Sequence, residues 1–279
     1  MHDSRFRHLI RYLAPIPSGH PAGGRLTKPI RAVIFDIYGT LFISGAGGIG
    51  TPKTDVPLVS GLDDVLRQYG IDASADRISK RLVQSIQAAH RIKKERAIPY
   101  PEIEIDAIWQ DILKWPDRNR IRDFAVAYEW TVNPAYPMPG LDETLRTLRQ
   151  RGLKMGIISN AQFFTPLLFE WFLGTPPADL GFDDDLTLYS YQYGEAKPSH
   201  SLFEICASRL RDLGFPPESV VYIGNDMLND IVPAANAGWQ TALFAGDRRS
   251  LRLRRNREEC LKRHPDLVIT DLRQLLDWI

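Results

Sequence analysis

The sequence predicts an α/β domain built on a doubly wound, mostly parallel β-sheet, with a block of helices inserted after the first strand. Three observations lead to this prediction. Short apolar runs of strand length recur along the chain, as expected of strands covered on both faces. Helical patterns separate several of these runs. Between about residues 45 and 135 no strand pattern appears, and helical patterns follow one another instead.

The order of the elements follows from these patterns. The apolar runs predict strands over Ala32–Phe35, Leu153–Ile158, Leu186–Tyr191, Val220–Ile223, Thr241–Phe244 and Leu267–Ile269. Amphipathic stretches with a glycine shortly after their ends predict helices over Leu141–Gln150, Ser201–Leu213 and Ile231–Asn236. Because ligands of such sheets bind beyond the carboxyl ends of the strands, residues that directly follow a strand are the candidates for function.

The same patterns divide the chain into an extension, a core and an insertion. Residues 1–28 are predicted to form an N-terminal packing arm that contains a short amphipathic helix and ends in a flexible, glycine-rich link. Residues 29–44 and 136–279 form the predicted core. Residues 45–135 are the insertion, which begins with a glycine-rich loop over 45–50. The helices predicted within the insertion are Leu62–Tyr69, Ala75–Arg96, Ile105–Trp115 and Arg120–Trp130. The proline-rich segment 133–140, at the end of the insertion, is predicted to be irregular.

Composition excludes several classes of protein. The 279 residues suffice for one large domain or one domain with an insertion, and a formal net charge of +1 gives no field that favours nucleic acid or a membrane surface. No apolar run approaches the roughly 18 residues of a membrane span. The two cysteines lie far apart without metal-type spacing, which is typical of a reducing compartment. The predicted location is cytoplasmic, and the sequence does not indicate an oligomeric state.

Asp36 is the first candidate for chemistry. It directly follows the first predicted strand, where an aspartate often does no more than cap a turn through its side-chain oxygens. However, Gly39 permits an unusual backbone close to a ligand, and Thr40 offers a hydroxyl to a bound anion. Asp36 is therefore a candidate carboxylate nucleophile that forms a covalent intermediate.

Two further strand ends carry candidate residues. Ser159 and Asn160 follow the second strand, where they either cap a helix or bind an oxygen of a substrate. Lys197 stands before Pro198 at the predicted start of a helix. A lone lysine is usually a solvated surface charge, but beside Asp36 it would keep the carboxylate ionised and neutralise a bound anion.

The segment GNDMLND, residues 224–230, follows the fourth strand. Its polar residues either form a loop with a helix cap or provide oxygen ligands for a hard cation such as Mg²⁺. Asp226 and Asp230 are the candidate carboxylates, and an asparagine, Asn225, directly follows Gly224.

Two other charged stretches have plainer interpretations. The basic stretch 248–264 could bind phosphate-rich partners, but a solvated helix is the favoured interpretation. Glu102, Glu104 and Asp106 could supply an acid to the site, but acids at the start of a helix are common for electrostatic reasons.

Taken together, these motifs resemble those of the haloacid dehalogenase-like hydrolase superfamily over residues 30–279. The resemblance implies a Rossmann-like core with an inserted helical cap of the C1 type. It also implies that Asp36 is the nucleophile and that Ser159 and Lys197 surround the transferred group. Within the resemblance, Mg²⁺ binds Asp36, the main-chain carbonyl of Tyr38 and Asp226.

Asp230 is a further candidate ligand of the same metal ion. The usual family pattern at this segment is Gly-Asp, with a second aspartate four or five positions later. Here the first acid comes one place late, at Asp226.

Tyr38 departs from the phosphatases of the superfamily, most of which have a second aspartate at this position. A phenol with an ordinary pKa near 10 is a poor general base at neutral pH. The sequence Asp-x-Tyr-Gly-Thr instead resembles the 2-haloacid dehalogenases, which need no metal. Phe203 and Met227 differ from the dehalogenase pattern.

Three hypotheses follow. The favoured one is a Mg²⁺-dependent hydrolase that acts through an aspartyl-enzyme intermediate on the phosphate ester of a small molecule. The second is a metal-free hydrolase of the 2-haloacid dehalogenase type. The third is a catalytically weak member that binds a ligand.

Overall fold

The computed structural model describes residues 4–47 and 61–279. Its strands are β1 (Gly23–Gly24), β2 (Ala32–Phe35), β3 (Phe42–Ser44), β4 (Ala135–Pro137), β5 (Lys154–Ser159), β6 (Phe182–Tyr189), β7 (Val220–Gly224), β8 (Gln240–Phe244) and β9 (Leu267–Ile269). Its helices are α1 (Leu62–Gln68), α2 (Ala75–Glu95), α3 (Ile105–Leu113), α4 (Arg118–Val132), α5 (Leu141–Gln150), α6 (Leu167–Leu173), α7 (Pro177–Leu180), α8 (Ser190–Tyr193), α9 (Ser201–Asp212), α10 (Val232–Asn236) and α11 (Glu258–Leu261). Short 3₁₀ segments cover Ser4–Leu9, Pro217–Ser219 and Leu272–Asp277.

The main sheet confirms the predicted fold class. Within the described residues it has seven strands in the order β1-β9-β8-β7-β2-β5-β6, and all neighbours are parallel except β1 and β9. The first long strand, β2, lies between β5 and β7. The chain therefore winds outwards from β2 in both directions, and the end of β2 is the topological switch point at which such sheets bind ligands.

The sequence of β2 explains its central position. Val33 and Phe35 belong to one hydrophobic cluster, whereas Ala32 and Ile34 belong to another on the opposite face of the sheet. All four side chains are fully buried. A strand without a polar face can exist only between two layers of helices, and this holds β2 rigidly in the centre.

The inserted helices α1–α4 lie between β3 and β4, which pair in an antiparallel manner. This pairing joins the two chain segments that connect the core to the cap. The prediction of an irregular segment over 133–140 was therefore wrong at Ala135–Pro137. The interior of the cap is aromatic, with the ring of Trp109 centred 4.8 Å from the rings of both Phe124 and Tyr128.

The N-terminal residues are packed against the domain. The predicted helix in this arm is a 3₁₀ segment, Ser4–Leu9, and Phe6 is buried against Trp171 with ring centroids 5.4 Å apart. The prediction of a flexible link was wrong at Gly23–Gly24, because these residues pair with Val268 and Leu267 at the edge of the sheet. The predicted glycine-rich loop over 45–50 lies partly outside the described residues.

Across residues 4–47 and 61–279, none of the helices combines the length and the apolar character that crossing a membrane requires.

Candidate active site

Asp36 lies directly after β2, with 6% of its surface exposed. Its main-chain N–H donates to the carbonyl of Ile223 at 2.9 Å, which ties it to the neighbouring strand β7. The carboxylate Oδ1 accepts hydrogen bonds from Ser159 Oγ at 2.9 Å and from Lys197 Nζ at 2.7 Å. One oxygen of Asp36 is therefore fixed by two strong donors, which orients the other oxygen, Oδ2.

The second oxygen has a weaker partner. Thr40 Oγ1 lies 3.4 Å from Asp36 Oδ2 and 3.1 Å from Asn225 Oδ1. A hydroxyl has one proton to donate, so the shorter contact with Asn225 competes for it. Asp36 lines a cavity of about 400 Å³ at the strand ends, and its weakly bonded Oδ2 is the oxygen better placed to contact a ligand there.

Lys197 lies between two carboxylates and is buried. Its ammonium group donates to Asp36 Oδ1 at 2.7 Å, to Asp230 Oδ1 at 2.6 Å and to Tyr222 OH at 2.9 Å. Burial alone lowers the pKa of Lys197, but the charges of Asp230 and Asp36 outweigh it and the pKa lies above its ordinary value. Lys197 therefore stays charged beside Asp36.

Asn160 positions the main chain of Lys197 rather than its side chain. Asn160 Oδ1 accepts from the N–H of Lys197 at 2.7 Å, and its Nδ2 donates to the carbonyl of the same residue at 3.2 Å. The sequence predicted a substrate-binding role for Asn160. Its side chain also lines the cavity of Asp36, so that role stays a prediction.

Gly39 and Gly224 allow the loops to approach one another. Gly39 has a φ of +87°, and a Cβ there would lie 2.4 Å from the side chain of Ser250. A Cβ on Gly224 would lie 2.4 Å from the carboxyl carbon of Asp230. Only glycine fits at these two positions, because a side chain there would push the neighbouring loops apart.

The surroundings of Tyr38 do not suit a general acid or base. Its hydroxyl shares a hydrogen bond of 3.1 Å with Thr165 Oγ1, and its side chain is buried. Burial, and then the charge of Glu129, raises the pKa of Tyr38 above its ordinary value. The phenol is therefore protonated at neutral pH.

We expect Tyr38→Phe to lower kcat/KM by less than about threefold, because a protonated, internally bonded phenol supplies no general base. The free energy of unfolding should fall by about 1 kcal/mol through loss of the bond to Thr165. Steady-state kinetics and urea denaturation of the variant measure both quantities. A loss of about 100-fold or more in kcat/KM would contradict this account, because it is the size of a general acid–base contribution.

The fourth segment contains an unusual local structure. Residues Met227–Ile231 form a π-helical turn, which accommodates one more residue than an α-helical turn does. Asp226 caps this turn by accepting from the N–H groups of Leu228 and Asn229. Asp226 also forms a two-pronged ion pair with Arg254, with Nη2 2.6 Å from Oδ2 and Nε 3.1 Å from Oδ1.

Asp230 is engaged on both oxygens. Oδ1 accepts from Lys197 Nζ and, at 3.2 Å, from Tyr222 OH, while Oδ2 accepts from the N–H of Asp226 at 2.9 Å. These contacts give Asp230 the role of a positioning residue that holds Lys197 against Asp36.

These contacts decide how well the predicted magnesium ligands fit. Within the described ranges, no group of three His, Cys, Asp or Glu side chains is arranged to hold a metal ion. Asp226 would have to leave Arg254 before it could bind Mg²⁺, and Asp230 would have to leave Lys197. Asn225 accepts a hydrogen bond from Thr40, and its neutral amide oxygen is a weaker ligand than a carboxylate. As arranged, the predicted set of ligands does not fit Mg²⁺.

The basic stretch 248–264 is not the solvated helix that the sequence favoured. Only Glu258–Leu261 is helical, and the residues before it run alongside the fourth segment. Arg252 N–H donates to the carbonyl of Asn225 at 2.9 Å, and Arg252 accepts from Met227 N–H at 2.9 Å. This pairing brings Arg252 and Arg254 into the wall of the cavity that contains Asp36.

Arg252 differs from the other cations of the cavity. Its guanidinium donates to the main-chain carbonyls of Arg249, Leu251 and Gly47, at 2.7 to 3.1 Å. Burial lowers the pKa of Arg252, as expected of a cation that is desolvated without a bonded carboxylate. A guanidinium in this situation would be stabilised by an anionic ligand.

Glu102 and Asp106, which the sequence offered as possible acids for the site, lie outside the cavity of Asp36. Asp106 is paired with Arg118 at 3.0 Å and Arg122 at 2.8 Å. Glu102 accepts from Ser190 Oγ at 2.6 Å and lines a separate, apolar cavity. Neither lines the cavity of Asp36.

Comparison with known proteins agrees with this arrangement. The model of the haloacid dehalogenase-like hydrolase family matches residues 30–238. The chain belongs to this family. It is therefore a hydrolase, and the motif residues Asp36, Ser159 and Lys197 lie within the matched range.

Curated relatives of this haloacid dehalogenase-like hydrolase include phosphatases. A glyceraldehyde 3-phosphate phosphatase of Methanopyrus kandleri is 25% identical over 257 residues, covering 90% of this chain and 97% of that protein. A phosphoglycolate phosphatase of Photorhabdus laumondii is 28% identical over 218 residues, covering 77% and 80%.

Solved structures with the same fold include both kinds of family member. An HAD phosphatase from Thermococcus onnurineus has a TM-score of 0.54 and 21% identity, covering 89% of this chain and 99% of that one. A 2-haloacid dehalogenase from Pseudomonas syringae has a TM-score of 0.54 and 19% identity, covering 89% and 97%. These similarities establish the fold of this haloacid dehalogenase-like hydrolase.

Proposed function

We propose that this protein hydrolyses the phosphate monoester of a small molecule through a phosphoaspartyl intermediate on Asp36. The observation that carries the proposal is a weakly bonded carboxylate oxygen of Asp36 in one cavity with two cations, Lys197 and Arg252. The guanidinium of Arg252 donates to main-chain carbonyls. A phosphoryl group carries up to two negative charges, and such cations stabilise the charge that develops in its transfer. The phosphatases among the sequence relatives support phosphate over other anions.

The reaction has two balanced steps. Asp36 Oδ2 attacks phosphorus, the bond from phosphorus to the ester oxygen breaks, and the released alkoxide takes a proton from water. Water then attacks the same phosphorus and the bond from phosphorus to Asp36 breaks. One proton of this water neutralises the hydroxide left by the first step, and inorganic phosphate leaves with the other. Lys197 holds Asp36 Oδ1 in place through its hydrogen bond of 2.7 Å. Tyr38 does not protonate the leaving oxygen, so esters of more acidic alcohols should react faster.

The N-terminal arm (residues 1–28), the core (29–44 and 136–279) and the cap (45–135) are proposed as the functional divisions of the chain. The two strands that flank the insertion, β3 and β4, pair with each other close to the loop that follows Asp36. The cap would then exclude water from the aspartyl intermediate until hydrolysis.

The proposal is tested by phosphate release from a panel of phosphomonoesters that includes aryl and alkyl esters. Release by the wild type, faster with aryl than with alkyl leaving groups, is the expected result. If none of the esters releases phosphate, in Mg²⁺ or in EDTA, the proposal is wrong.

A second candidate function is hydrolysis of 2-haloacids. The specific observation in its favour is Tyr38, because a halide leaves without protonation and does not need the missing aspartate. Halide release from 2-chloropropionate without phosphate release from any ester would establish it in place of the first proposal.

We expect phosphate release to persist in EDTA within about threefold of its rate in Mg²⁺, because Arg254 already occupies the carboxylate of Asp226. Arg254→Ala should expose that carboxylate and make the rate rise with Mg²⁺. Arg255→Ala is the matched control, since its side chain is exposed and it neighbours Arg254 in sequence. Complete loss of wild-type turnover in EDTA, restored by Mg²⁺, would show instead that the metal displaces Arg254.

A further inference from the structure

A second cavity, of about 300 Å³, lies between the cap and the core. Most of its wall is apolar and is contributed by α2, α3 and α4. The residues that define this surface include Leu82, Ile86, Trp109, Ala125, Tyr128 and Val132. We refer to it as the apolar cavity.

The apolar cavity adjoins the cavity of Asp36. Ala46 and Asn160 line both, so the two spaces meet at these residues. Asn160 is bonded to the main chain of Lys197 at 2.7 Å, which places this junction beside the nucleophile's partner. A ligand with its phosphoryl group at Asp36 would therefore extend from this junction into the apolar cavity.

We propose that the apolar cavity binds the alcohol portion of the substrate, and that this portion is an uncharged, apolar group of about the size of one or two rings. The inference rests on the proposed function for its phosphoryl end. The size follows from the volume, because a dry cavity of roughly 150 Å³ holds one benzene ring. Apolar walls in a ligand-sized pocket gain binding free energy from the apolar surface they cover.

The titratable groups of the wall also disfavour charge. Burial raises the pKa of Glu129 to about 7, so that its carboxyl is partly neutral near neutral pH. Burial, with the nearby Lys94 and Lys93, lowers the pKa of His90 and keeps it neutral. Among the described residues, His90 Nε2 has no hydrogen-bond partner. Glu102 also lines the wall, but its carboxylate already accepts from Ser190 Oγ and Gln162 Nε2. A charged alcohol portion would therefore find no unengaged counter-charge on Glu129, His90 or Glu102.

Binding of alkylphosphonates tests the inference without turnover, because their carbon–phosphorus bond is not hydrolysed. The probes are methyl-, butyl- and cyclohexylmethylphosphonate, titrated calorimetrically into the full-length wild type. Each buried methylene should tighten Kd by about fourfold, so butylphosphonate should bind roughly 50-fold more tightly than methylphosphonate. Equal affinity for the three probes, or binding of none, would overturn the inference.

Two variants on one helix localise the effect. Ile86→Gln places a polar group in the apolar cavity, whereas Ile92→Gln makes the same change on α2 at a side chain that is 52% exposed. Ile86→Gln should weaken the binding of cyclohexylmethylphosphonate by at least about tenfold. The Kd of methylphosphonate should stay unchanged, which also shows that the variant is folded. Ile92→Gln should change neither. Equal effects of both variants would overturn the inference.

The inference and the proposed function fail separately. A chain-length preference in binding, without phosphate release from any ester, would overturn the proposed reaction and support the apolar cavity as a binding site. Phosphate release with equal kcat/KM for ethyl, butyl and cyclohexylmethyl phosphates, which have similar leaving groups, would overturn the inference alone.

Discussion

Asp36→Asn should lower phosphate release by at least roughly 10³-fold, because the substitution removes the attacking oxygen while it keeps the shape of the side chain. The amide can still accept from Ser159 and Lys197 through its oxygen, so the fold should persist. Steady-state kinetics on the most active ester, with circular dichroism for the fold, measures the effect.

The matched control for this substitution is Asp184→Asn, which makes the same change at an exposed position of β6. It should leave the rate unchanged. A folded Asp36→Asn variant with more than a tenth of the wild-type rate would contradict a nucleophilic role for Asp36.

Lys197→Met should have the largest effect on stability. The ammonium of Lys197 lies 2.7 Å from Asp36 and 2.6 Å from Asp230, and all three side chains are at most 8% exposed. Removing one member of a buried ion cluster leaves an uncompensated charge, which costs roughly 3–5 kcal/mol. Urea denaturation should show this loss, and turnover should fall with it because Lys197 also neutralises the transferred group.

Lys154→Met is the control for Lys197→Met. Lys154 pairs with Asp183 at 2.7 Å, but the two side chains are 35% and 22% exposed. Exposed pairs contribute roughly 1 kcal/mol or less, so this variant should lose little stability. Adding Asp230→Asn to Lys197→Met should recover part of the lost free energy, because it removes one of the two buried negative charges. A loss below about 1 kcal/mol in Lys197→Met would contradict the buried cluster.

The elements that local pattern determines were predicted well. The bounds of β2 and α5 agree with the sequence prediction, because each has a pattern that only one kind of element explains. Asp36 follows β2, Ser159 ends β5 and Lys197 comes after β6, so all three meet at the same edge of the sheet. This part of the site required only strand order and direction.

The parts that sequence missed depend on distant contacts. Arg254 reaches Asp226 across 28 residues of chain, and the basic residues around it have the composition of an ordinary solvated helix. Tyr222 carried a weak signal, a hydroxyl inside an otherwise apolar strand, which the need to satisfy a buried polar group could have identified. The Gly23–Gly24 strand has no propensity of its own and exists because β9 offers an unpaired edge.

The metal hypothesis shows the same limit. The sequence made Asp226 the first candidate ligand and Asp230 a further one, four residues apart in the fourth segment. In the structure, Asp226 precedes the π-helical turn and pairs with Arg254, whereas Asp230 lies within the turn and pairs with Lys197. Local backbone geometry of this kind depends on the strands and loops around it.

The central claim is that Asp36 becomes covalently phosphorylated during turnover. The most direct measurement is a single-turnover reaction with the best ester, quenched in acid, reduced with borohydride and mapped by peptide mass spectrometry. Reduction of an acyl phosphate converts the aspartate into homoserine, and we expect this conversion at residue 36. Conversion at another residue, or phosphate release with no modified residue at any time point, would contradict it.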